Sequence, residues 1–206
     1  MANLELLFDG ISAFCSVVLA GCACWALKQI YVSKEQIKMQ REEFLVKSKR
    51  ESLTIASDQI RYFSSEVIPL MDKVDRIIEN ENINFFKQNP VTLKKDTLSC
   101  DNLILEAEDA EKIKKNLKEL LELTNKMDDF SIYFTSNLAD MDFAFSVLGD
   151  LFCTEMEKLL PFYILSVDQR KAPSVQLYIK WKQRIEINDL KLQKMKIDKR
   201  LADYMK

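Results

Sequence analysis

A chain of 206 residues with 48% hydrophobic and 30% charged side chains but only three glycines and four prolines has too few turn formers for an all-β fold, so the composition predicts an all-α protein. It contains no histidine, which excludes Ser-His-Asp and Cys-His nucleophiles, HExxH metal sites and any histidine general base. The net charge of −2 is unevenly spread: residues 1–50 hold seven basic and five acidic side chains, residues 51–179 fourteen and twenty-three, and residues 180–206 nine and four.

The first element in chain order is GISAFCSVVLAGCACWAL, residues 10–27, which carries no charge between Asp9 and Lys28. As a helix it reaches about 27 Å, close to the hydrocarbon thickness of a bilayer. The preceding MANLELLFD has two acids and no lysine or arginine, unlike the basic start of a cleaved secretory signal. The following segment holds Lys28, Lys34, Lys38, Arg41, Lys47, Lys49 and Arg50, the charge bias of a cytoplasmic flank. These features predict a short external N-terminus (1–9), a transmembrane helix (10–27), a basic membrane-proximal stalk (28–52) and a cytoplasmic helical domain (53–206). The expected topology is a single crossing with the C-terminal domain on the cytoplasmic side and Trp25 and Tyr31 at the inner interface. The competing reading of the run is a buried core helix.

Within this run Ser12, Ser16, Ala20 and Cys24 recur every four residues and make one face of small side chains, with Asp9 at its outer end. Lipid gives no hydrophobic drive for helices to associate, and small faces let backbones approach closely. The stripe is a candidate helix contact or pore lining, with Asp9 forming an acidic ring if it surrounds an axis. Membrane lipid is the expected surrounding in either case. Lys34, Lys38 and Arg41 share a helical face and are candidates for an anionic ligand or for lipid headgroups.

The five cysteines have neither zinc-finger nor redox spacing and read as reduced apolar side chains; no metal or cofactor is expected. The three glycines, Gly10, Gly21 and Gly149, form no phosphate loop. An enzyme is the weaker class.

Ile30, Ile37 and Phe44 keep a sparse seven-residue spacing along the stalk. Leu53, Ile60, Val67 and Val74, with Ala56, Phe63, Leu70 and Ile77, then form an a/d seam, the candidate surface for joining subunits. Pro69 is expected to bend this helix. Residues 79–102, rich in asparagine, read as the main loop. Ile113, Leu117, Leu120, Leu121 and Met127 form the apolar face of a second helical region, continued by Phe130, Phe134, Leu138 and Met141, with a turn or helix start between Asn137 and Asp142. Gly149 and Pro161 punctuate a further helix bearing Leu148, Leu151, Phe152, Met156 and Leu159. Pro173 signals the last helix, with Tyr178, Trp181, Ile185, Leu192 and Met195 on one side. Its basic half reads as a solvated tail, or as a surface for an anionic partner.

The stretch LLELTNKMDDFSIYFTSNLADMDFAFSVLGDLFCTEMEKLLPFY, followed by LYIKWKQR, resembles a bacterial family of unknown function with one N-terminal span and a helical cytoplasmic domain. The matching positions are Leu121, Phe130, Asn137, Asp140, Phe152, Leu159, Pro161 and Trp181, with the WALKQIYVSKEQIKMQ junction. The layout is also similar to the membrane channel effectors of Hailong-type phage-defence systems. That resemblance implies a homo-oligomer, a tetramer, whose ion channel is held shut by short single-stranded DNA made by a partner nucleotidyltransferase and opens to depolarise an infected cell. The alternative is a non-conducting membrane-anchored scaffold or receptor subunit that recruits a cytoplasmic partner.

Overall fold

The computed structural model describes the backbone of residues 2–94, 97–100, 103–166 and 171–204, and the side chains of residue 25 and of residues 28–93, 97–100, 103–165 and 171–201. The chain divides into two compact units, Met1–Arg50 and Glu51–Lys206.

Helix α1 (Ala2–Tyr62) leads through a π-helical turn (Phe63–Val67) into α2 (Ile68–Asn80). Pro69 stands at the start of α2, where its missing N–H costs least. The preceding turn takes up the change of pitch, since the Ile68 N–H donates five residues back to the Phe63 carbonyl. An inserted π turn therefore answers the proline that the sequence marks as a bend.

Residues 79–102, expected to be a loop, hold a compact insertion. Asn82 turns the chain with φ 50°, in the left-handed region that asparagine tolerates. A single-turn helix α3 (Phe85–Gln88) follows, then a hairpin of β1 (Thr92–Lys94) and β2 (Thr97–Ser99), with Leu93 opposite Leu98. Among the described residues the fold is thus predominantly helical with one small antiparallel hairpin. Asn89 ties the insertion down: buried, it donates to the carbonyls of Phe85 and Ile104, both at 2.8 Å, and accepts the Ile104 N–H at 2.7 Å.

Asn116 separates α4 (Ala107–Lys115) from α5 (Leu117–Thr135), its side chain donating to the Lys112 carbonyl at 2.9 Å. The break rotates the helix face, so Leu120, Leu123 and Met127 are buried while Leu117 and Leu121, expected on the apolar side, are exposed. The turn expected after Asn137 is present: Asn137 has φ 60°, and the Asp140 carboxylate caps α6 (Met141–Ser166) by accepting the Phe143 N–H at 2.9 Å. α6 runs through both Gly149 and Pro161 without ending. Burial of Pro161, Phe162 and Tyr163 outweighs the lost hydrogen bond there. Helix α7 (Pro173–Tyr204) begins on the predicted proline.

The core of the second unit is aromatic. The rings of Phe63 and Phe130 lie 4.7 Å apart, Phe130 and Phe134 4.9 Å, and Phe152 and Trp181 5.1 Å, tilted or edge-on as ring quadrupoles prefer. Much of the heptad seam lies in this core. Val67 and Val74 are buried inside the body, Ile60 packs against the same core and Leu53 is half-buried. The physical reason is that α5 covers α2, and Phe130 closes on Phe63, so the chain's own helices occupy the face.

Candidate functional site

In the first unit the described side chains begin with Trp25, 66% exposed, and Tyr31, 65% exposed. Lys34, Lys38 and Arg41 are all exposed on α1. Arg41 lines an open groove of about 330 Å³ with Ile37, Gln40, Phe44 and Leu45, so it pairs a guanidinium with apolar surface. The side chains of Asp9, Ser12, Ser16, Ala20 and Cys24 lie outside the described ones, as do those of the rest of the predicted span apart from Trp25. Among the described residues no helix is long and apolar enough to cross a membrane.

In the second unit, the polar side chains most deeply placed are structural. Ser174, buried at the start of α7, donates its hydroxyl to Asp128 Oδ1 at 2.5 Å, and its N–H reaches the same oxygen at 3.1 Å. The Tyr163 hydroxyl lies 2.9 Å from Ser174 Oγ and 3.3 Å from the Thr124 carbonyl oxygen. Desolvation raises the Asp128 carboxyl above its ordinary value, and burial raises the Tyr163 hydroxyl far above its own. The cluster fastens the first turn of α7 to α5 and α6.

Cys153 is buried, and burial pushes its thiol up to about 12, so it packs as an apolar side chain. Tyr178 is buried and its hydroxyl is likewise raised by desolvation, with Glu157 adding to the shift. Among the described residues no group of three metal-ligating side chains comes together.

Two surface grooves escaped the sequence reading. Gln59, Tyr62, Asp129, Ile132 and Tyr133 line one of about 340 Å³ between the end of α1 and α5. Lys126 sits beside it, 5.6 Å from the Tyr62 ring centre and 3.0 Å from Glu66 Oε2. Burial raises the Tyr62 hydroxyl, which keeps it a neutral donor. Phe145, Gly149, Asp150, Ile185 and Asp189 belong to a second groove, of about 300 Å³, between α6 and α7. Neither groove carries a spacing motif, since each is assembled from distant segments.

The last helix divides as its composition suggests. Tyr178 and Trp181 are buried and Ile185 packs on the core, whereas Leu192 and Met195, expected on the same side, are exposed. No family model, curated protein or solved structure matches the chain.

Proposed function

We propose that this protein is an oligomeric single-span membrane effector, an ion channel that depolarises the inner membrane and is held closed by an anionic nucleotide or short single-stranded DNA ligand. The observation that carries the reading is the uncharged run 10–27, with its stripe of small residues and its basic flank. The exposed basic residues Lys34, Lys38 and Arg41 offer phosphate contacts that weaken as salt rises. The defence context and the partner nucleotidyltransferase follow from the resemblance to Hailong-type channel effectors.

The test in cells is a membrane-potential dye during expression, with and without a partner that makes the ligand. Depolarisation only in its absence supports the proposal. An unchanged potential, from protein recovered in the membrane fraction, favours the recruiting scaffold. Recovery of the intact chain in the soluble fraction without detergent overturns both.

A further inference from the structure

Beyond Ile185, helix α7 leaves the core, and every residue from Glu186 to Leu201 is exposed. The projecting part is nevertheless not polar all round. Ile187, Leu190, Ile197 and Leu201 are 51%, 64%, 57% and 54% exposed, and with Lys194 they follow the alternating three- and four-residue spacing of a coiled-coil seam. We propose that this seam pairs in parallel, in register, with the same helix of a second copy of the chain.

The charge pattern selects that occupant. From Glu186 to Tyr204 there are five basic and four acidic side chains, interleaved, so the projecting helix is close to neutral. Nucleic acid or an anionic lipid surface is recognised by an excess of positive charge, which this segment lacks. A second copy fits instead. With Ile187 and Leu201 at a positions, Glu186 falls at g and Lys191 at the e position five residues on, and parallel in-register helices bring these opposite charges together twice. Gln193 and Asp198 meet in the same way without repulsion.

Lys194 is the single polar residue of the seam. Parallel in-register pairing confines it to one layer against its own counterpart, whereas antiparallel pairing sets it against Ile197 and spoils two layers. A lone polar a position of this kind fixes register. The contact uses neither the stripe in the predicted span nor the heptads of α1 and α2, and it holds whether or not the span conducts.

The experiment is mild oxidative cross-linking of full-length single-cysteine additions in membranes, with the wild-type chain as background for the native cysteines. A parallel seam brings the Cβ atoms of L190C, and of I197C, within disulfide reach of their counterparts. Both should give covalent dimer, while L192C and K199C, on the far side of the same helix, should stay at the wild-type background. Adding L190E should abolish the I197C dimer, and adding L192E should leave it intact. All these sites are exposed, so the body folds in each variant. Equal cross-linking at 192 and 190, or dimer at 197 without dimer at 190, overturns the proposal. So does absence of dimer at every position, whether or not the tail then binds anionic vesicles.

Discussion

The Asp109 carboxylate on α4 accepts the main-chain N–H of Phe85 at 2.6 Å, and that of Asn84 at 3.3 Å, from a position only 3% exposed. It caps the first turn of α3 across 24 residues of sequence and holds the insertion against the body. Asp109→Ala leaves a buried donor unmet, a cost of about 1–3 kcal/mol. Each kcal/mol lowers the melting temperature of a chain this size by about 2–4 °C. Thermal unfolding followed by circular dichroism checks the shift, and a melting point unchanged from wild type would contradict the capping role.

Trp181 is the second residue whose loss should be felt. Phe152, Phe145, Phe134 and Phe130 lie at ring distances of 5.1, 5.8, 6.0 and 6.4 Å from it, and its indole N–H is buried without an acceptor. Trp181→Ala should cost about 3–5 kcal/mol through the cavity it leaves. Trp181→Phe should cost much less, because it keeps most ring contacts and deletes the unpaired donor. Denaturant titrations of the two variants give the comparison, and equal losses would contradict it.

Gly149 tests how tightly α6 is packed. Glycine to alanine inside a helix ordinarily gains about 1 kcal/mol. A Cβ here would stand 2.8 Å from Cδ2 of Phe145, whose ring is held between Trp181 and the Arg184 guanidinium, 4.3 Å from its centre. Gly149→Ala should therefore destabilise, and the loss should shrink when Phe145→Leu frees the space. A melting temperature above wild type for the single variant would show that the ring yields freely.

Asp128 gives a pH dependence with a definite sign. Desolvation raises its folded value above the ordinary 3.8, so the stability that protonation gives is fully present below 3.8 and is lost as pH rises through the folded value. Asp128→Asn keeps an acceptor for Ser174 without the buried charge. The variant should lose less stability than wild type as pH rises from 3.8 through that window, and parallel curves would contradict the assignment.

These particular residues show what the sequence could and could not say. The seven-residue spacing of Ile60, Val67 and Val74 correctly marks a covered face. Periodicity reports that a face is buried, not by what; Phe130 of the same chain packs on Phe63 beside that face. Pro173 and the turn between Asn137 and Asp142 were legible because a fixed φ and short polar side chains act locally on a helix start. Asn89, Asp109 and the two grooves were not legible, because each is made by segments far apart in sequence. The hairpin at 92–99 was hidden by strands of three residues, too short to display an alternation.

Assembly through the predicted span rests on close approach at its small face. Ser16→Leu with Ala20→Leu adds bulk where backbones must meet, so cross-linked oligomers in detergent should diminish while the circular dichroism of the body persists. Oligomers of undiminished mass would place the contact elsewhere.

Planar-bilayer conductance of the purified full-length chain, with and without short single-stranded DNA, tests the central claim most directly. Channel currents are expected that the DNA suppresses less effectively as salt rises, with a cation preference that weakens in Asp9→Asn if Asp9 forms an outer charge ring. Absence of current in both conditions, from protein shown to be inserted and oligomeric, would contradict it.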